Sequence, residues 1–173
     1  MSVQVEDIDR GWKRIKKEVK RIHDSHTSIG FFGKGGNPKN DIAARAAVNE
    51  LGATIKVTKK MKGFFAAKFG VFLKKKIIKI PKRPLMKMTQ DKNINKINKQ
   101  LDQAYDNVIT GKYNARTALG RIGEWYTALI KITIRTGKFF GNKPLTKKLK
   151  GSSKPLISNG EMYRAVTHRE IMK

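Results

Sequence analysis

The chain has 173 residues and no cysteine, and 39 lysines and arginines against 13 carboxylates give it a net charge of +26. The length suits one domain with an appended arm, and the missing cysteines exclude disulfides, thiol catalysis and cysteine-ligated zinc. No apolar run approaches the about 20 residues that cross a bilayer, and Met1–Arg10 is acidic and polar, without the apolar stretch of a signal peptide.

The charge is unevenly spread. Residues 1–52 hold ten Lys/Arg against seven Asp/Glu, residues 53–100 fifteen against one, and residues 101–173 fourteen against five. A field of that sign attracts polyanions in a salt-dependent way. A plainer source is also on view: lysine outnumbers arginine 29 to 10, a ratio that an AT-rich coding sequence favours by itself.

Val5, Ile8, Trp12, Ile15, Val19 and Ile22 recur at spacings of three and four, which predicts a first amphipathic helix of about 20 residues. Lysines and arginines fill its other face, and Ser25–Ser28 ends it. Ile29–Phe32 reads as a short strand and Lys34-Gly35-Gly36-Asn37-Pro38 as a loop. Asp41 is placed to cap a helix that runs to Leu51 and stops at Gly52. Residues 54–80 read as strands and turns: Thr54–Thr58 alternates, Phe64-Phe65 and Phe69–Leu73 are apolar, and Lys76–Ile80 closes the run before Pro81 and Pro84.

A second long helix is predicted from Ile94, Ile97, Leu101, Ala104 and Val108, ending at Gly111. A third follows from Ala118, Ile122, Trp125, Leu129 and Ile132, ending at Gly137. Joined by a short turn, they should form an antiparallel helical hairpin over 92–136. Arg164–Met172 could return as a last strand, and no internal repeat is visible. The fold class expected is α+β: a small, mostly antiparallel sheet with the long hairpin and an N-terminal helix.

The chemistry-bearing motifs are thin. Gly30, Gly33, Lys34 and Gly35 lack the spacing and the following Ser/Thr of a phosphate-binding loop, so a turn is expected. His23 and His26 lie three apart at a helix end without a third ligand nearby, so a polar helix terminus is expected and no metal. Glu50 and Glu124 are the carboxylates worth weighing for acid–base work, but a helix-end turn and a surface ion pair account for them. Ser152 and Ser153 have no His/Asp arrangement in nearby sequence. Phe31, Phe32, Phe64, Phe65, Phe69 and Phe72 lie among lysines as in single-strand binders, although phenylalanines on short strands are more often core. An enzyme is therefore not expected, and no cofactor.

Four blocks carry a resemblance. They are Ala47-Val48-Asn49-Glu50-Leu51-Gly52; Ile80-Pro81-Lys82-Arg83-Pro84-Leu85-Met86; Asn114–Leu119 with Ile122-Gly123; and the basic loop from Pro144-Leu145-Thr146 through Lys148–Lys150 to Gly151-Ser152-Ser153-Lys154-Pro155-Leu156-Ile157-Ser158-Asn159-Gly160. In this order they resemble the virion morphogenesis, or tail completion, proteins of Mu-like phages and prophages over about residues 28–170. The chain departs where that family has an aromatic after Asn-Glu (here Leu51), a Phe after Arg-Pro (here Leu85) and Asp-Thr-Gly in the loop (here Ser158-Asn159-Gly160).

The first helical stripe marks a helical arm at 1–27, and the resemblance implies a tail-completion domain at 28–173. It implies a structural protein of the virion neck or tail end, made in the host cytoplasm. Such a protein forms a homo-oligomeric ring that completes the tail and helps join it to the head. Partners would be other neck and tail proteins, with the basic field facing either DNA in the channel or an acidic partner ring, and no membrane. Contact residues expected on this reading are Trp12, Pro144, Leu145, Lys154, Pro155, Leu156 and Ile157. Lys74, Lys75, Lys76, Lys79, Lys82 and Arg83 are expected to face the polyanion. The charge alone supports a different expectation, a free basic nucleic-acid-binding protein.

Overall fold

A computed structural model describes residues 11–33 and 41–173, apart from the side chains of Lys148, Leu149 and Lys150. The Val5 and Ile8 positions of the first stripe and the loop at Lys34–Pro38 lie outside the described residues. The elements, in chain order, are α1 (Trp12–Asp24), β1 (His26–Phe31), α2 (Ile42–Leu51), β2 (Ala53–Lys56), α3 (Lys59–Phe69) and β3 (Ile77–Ile80). Then come α4 (Leu85–Ile109), α5 (Ala115–Thr136), α6 (Pro144–Lys150), α7 (Glu161–Ala165) and β4 (Val166–Ile171). This is an α+β fold with a long helical hairpin, α4–α5, and two two-stranded sheets, β1–β4 and β2–β3.

The contacts divide the chain into two units that interleave in sequence. The first takes the described part of 1–30 with 90–130 and 166–173; the second takes the described part of 31–89 with 131–165.

In the first unit, Ile22, Ala104, Val108, Ala115, Ala118, Leu119 and Ile122 form the core, with Val19 and Met172 packed against it. The stripes read from α1, α4 and α5 therefore converge. Two polar links fix α1 to the hairpin turn. The Glu18 carboxylate accepts from the Ala115 amide at 2.8 Å, satisfying a donor at the start of α5, and the Arg14 guanidinium donates to the Gly111 carbonyl at 3.4 Å. Gly120 and Gly123 lie one turn apart on α5, and a Cβ at either would meet Glu170 or His168 of β4. Two missing side chains thus let β4 lie close against the helix.

Trp12, one of the expected contact residues, stands open at the start of α1. It is 60% exposed, with the Lys16 ammonium over its ring at 5.2 Å. The apolar face of α1 reaches the core only at its C-terminal half, through Val19 and Ile22.

In the second unit, the expected helix at Asp41 is present. The Asp41 carboxylate accepts from the Ala43 and Ala44 amides at 2.8 and 3.4 Å. Replacing it by alanine is expected to cost about 1 kcal/mol, seen as a lower melting temperature. Gly52 ends α2 at φ 74°, where a Cβ would come within 2.9 Å of the Ile80 carbonyl oxygen. That close approach starts the antiparallel β2–β3 ladder, which runs from Ala53↔Ile80 to Lys56↔Ile77.

Between these strands the expectation of further strands fails: Lys59–Phe69 is helix α3. Thr58 caps it through the Met61 amide at 3.2 Å. Gly70, at φ 61°, closes it: its amide donates to the Ala66 carbonyl, the αL arrangement, and the Val71 amide donates to the Phe65 carbonyl. The helix buries none of its residues. Met61, Phe64, Phe65 and Phe69 do recur at spacings of three and four, but that face stays open, and the paired phenylalanines between two β-rich runs imitate a strand.

Candidate functional site

Two features of the second unit bear on function. The first is a knot of hydrogen bonds around Arg83. The Pro81–Pro84 segment, too proline-rich to continue β3, carries this side chain inward until only 8% of the residue is exposed. Its Nε donates to the Phe140 carbonyl at 2.9 Å, and its two terminal nitrogens donate to Asn49 Oδ1 and Asn142 Oδ1, each at 3.1 Å. Its backbone amide donates to the Asn49 carbonyl at 2.7 Å.

Asn142 passes the tie onward, its amide donating to the Ser153 and Lys154 carbonyls at 3.4 and 3.2 Å. Next to Asn49, the Glu50 carboxylate accepts from the Met86 and Lys87 amides at 3.0 and 3.2 Å, capping the start of α4. Every oxygen that Arg83 meets belongs to a neutral group, and burial lowers its pKa from the ordinary arginine value. Arg83 is thus not polyanion-facing. Its fork of donors serves three inward acceptors, a geometry that lysine cannot reproduce.

The basic loop after Asn142 is less irregular than its sequence. Pro144 opens α6, where a missing N–H costs nothing, and Gly151 closes it at φ 65°. Pro155-Leu156-Ile157 then form a γ-turn: the Ile157 amide donates to the Pro155 carbonyl at 2.7 Å, with Leu156 at φ 60°. Leu156 is only 7% exposed. Its burial in its own unit corrects its assignment as a contact residue, and that burial offsets about 1–2 kcal/mol of left-handed strain. Of the other contact candidates, Pro144 and Lys154 are exposed and Leu145, Pro155 and Ile157 half-buried.

Arg45 of α2 is ion-paired with Glu161 of α7 at 2.7 Å. The hydrogen bond from Arg45, and then that from Asn159, hold the Glu161 carboxyl below its ordinary pKa. A depressed carboxyl contributes stability above its unfolded pKa and loses it as the pH falls through the folded value. A Glu161→Gln variant should therefore melt below the unsubstituted protein at about pH 6, and the gap should narrow as the pH falls below the ordinary carboxyl range.

The second feature is the basic hairpin at 53–82, made of β2, α3 and β3. It contains ten lysines and no acid. Lys74, Lys75, Lys76, Lys79 and Lys82 are all exposed. Phe64, Phe69 and Phe72 are not the core of strands but lie open, Phe72 by 79%. The Phe64, Phe65 and Phe69 rings pack on one another at 5.7–5.9 Å, and the Lys68 ammonium sits 5.6 Å above Phe64. Cations beside stacked, open rings can hold an anion with an apolar body, or an acidic protein surface with apolar residues in it.

Three of the four sequence blocks singled out earlier therefore meet in one place: Asn49-Glu50, Ile80–Met86 and the loop through Ser153-Lys154. The fourth, Asn114–Leu119 with Ile122-Gly123, builds the first unit's core. Asn142 escaped the sequence reading because a lone asparagine in a basic loop gives no signal. Glu50 stands at the end of α2, in keeping with the helix-end turn expected of it, and caps the start of α4.

No protein-family model matches the chain, and no curated protein or solved structure matches it either.

Proposed function

We propose that the chain is a structural protein of a phage neck or tail end, which assembles as an oligomer, completes the tail and helps join it to the head. Its action is binding, not catalysis. The observation that carries this reading is the Arg83 knot. The segments that resemble tail completion proteins lie far apart in sequence, yet Arg83 and Asn142 tie them together. A pattern that encodes one internal brace is a pattern of fold, and that supports reading the resemblance as more than chance. The basic hairpin supplies the exposed surface such a protein needs, and its lysines suit DNA in a channel or an acidic neighbour.

The test images the purified full chain, alone and mixed with tails that lack it. Rings that attach to tail ends, and heads that then join those tails, support the reading. A protein that ignores tails overturns it.

A second reading, a free nucleic-acid-binding protein, is favoured by the acid-free run of ten lysines beside open phenylalanines. It expects a monomer or dimer that binds DNA with a steep salt dependence and has no affinity for tails.

A further inference from the structure

The chain carries a second open apolar patch, edged by carboxylates where the basic hairpin has none. On α4, Leu101, Tyr105 and Ile109 are exposed, and their spacing of four residues aligns them on one side of the helix. Asp102 and Asp106, one position on from Leu101 and Tyr105, run along the edge of this stripe and are exposed. Residues 100–111 contain these two aspartates and no lysine or arginine, within a chain of net charge +26. A soluble surface does not leave aligned apolar side chains open without cause.

We propose that the basic hairpin of one copy docks on this α4 face of a second copy. Phe64, Phe69 and Phe72 would lie on Leu101, Tyr105 and Ile109, with the hairpin lysines beside Asp102 and Asp106. The inference rests on the assembly reading above and names its contact. Local complementarity outweighs the net charge, because exposed charges beyond about 8–10 Å are screened at moderate salt. A second copy accounts for both patches with one contact, whereas a nucleic acid would use the lysines and rings but leave the α4 face open. The two surfaces differ, so the contact is head-to-tail: each copy offers one surface and receives the other, and assembly propagates until it closes.

The test uses two full-length variants. One carries Phe64→Ser, Phe69→Ser and Phe72→Ser in the hairpin; the other carries Leu101→Ser, Tyr105→Ser and Ile109→Ser on α4. These side chains are exposed, so unchanged circular dichroism is the check that each variant folds. In sedimentation velocity the unsubstituted chain should self-associate with rising concentration. Each variant alone should weaken association by at least tenfold. Their mixture should form a dimer that grows no further, since only one intact hairpin and one intact face remain to meet.

The chain has no cysteine, so Phe72→Cys and Tyr105→Cys copies give an independent readout. A short bismaleimide should join them when mixed and join neither to itself. Association that survives both triple variants, with no mixed cross-link, overturns this contact and leaves the assembly reading standing. A chain that is monomeric at every concentration and on tails overturns both. A monomer whose three phenylalanines are needed to bind an oligonucleotide or anionic lipid vesicles overturns the contact and gives the hairpin to that ligand.

Discussion

Arg83→Ala is expected to be the most damaging single substitution in the second unit, at about 2–4 kcal/mol, because it breaks a buried hydrogen-bond network. The loss has two parts. The guanidinium's three side-chain bonds disappear, to the Phe140 carbonyl, Asn49 and Asn142. The acceptors left behind are partly or wholly buried, and each costs about 1–3 kcal/mol unless water reaches it. Against a domain stability of about 5–15 kcal/mol this removes a large share of the margin. Arg83→Lys should recover little of the loss, because an ammonium cannot serve three acceptors fixed in a fork. Chemical denaturation of both variants is the measurement. A midpoint for Arg83→Ala close to that of the unsubstituted protein would show that the knot holds nothing together.

Replacing Lys74, Lys75 and Lys76 by glutamate should leave stability almost untouched and change binding strongly. All three side chains are exposed, and surface substitutions away from packed features usually stay within about 0.5 kcal/mol. Their charge is another matter. Self-association should weaken by at least about tenfold at low ionic strength, and the difference should shrink towards 1 M salt, where the screening length falls to about 3 Å. If the lysines instead face duplex DNA, the loss of three phosphate contacts should lower the slope of log affinity against log salt by about 2.7. A defect that does not change with salt would mean that the triple substitution acts through packing.

The parts of the fold that the sequence announced are those with a buried face. Val19 and Ile22, Ala104 and Val108, and Ala118 and Ile122 recur at helical spacing because one side of each helix meets the core. The Asp41 cap and the Gly52 stop were equally visible, since each is a local rule satisfied by one residue. Helix α3 was legible in the spacing of Met61, Phe64, Phe65 and Phe69, with Thr58 and Gly70 at its ends, but its phenylalanine pairs between two β-rich runs read as strand. The candidate site was half legible. The lysines of the hairpin are a matter of composition and could be read directly. Arg83 could not, because a basic residue in a basic stretch looks like surface. What draws it inward is a set of acceptors 34 to 59 residues away in sequence. Leu156 likewise looked like an apolar residue in need of a partner, and its own unit supplies the cover.

The interleaving of the two units has a consequence for how the protein comes into being. The first unit gathers α1, the facing parts of the hairpin and β4, with Met172 against the core and the Lys173 amide donating to Ser25 Oγ at 3.0 Å. As the chain leaves the ribosome, α1 is made early, yet the strand that completes its unit is made some 140 residues later. Neither unit exists as a continuous stretch, so no nascent fragment holds all of one, and no proteolytic fragment would isolate it. Local helices can form at once, but the long-range pairing of β1 with β4 must wait, which slows folding and leaves apolar surface open meanwhile. Premature termination anywhere before residue 166 would release a chain that cannot finish its first core. The high positive charge, whatever it meets in the finished protein, would help keep such unfinished chains apart.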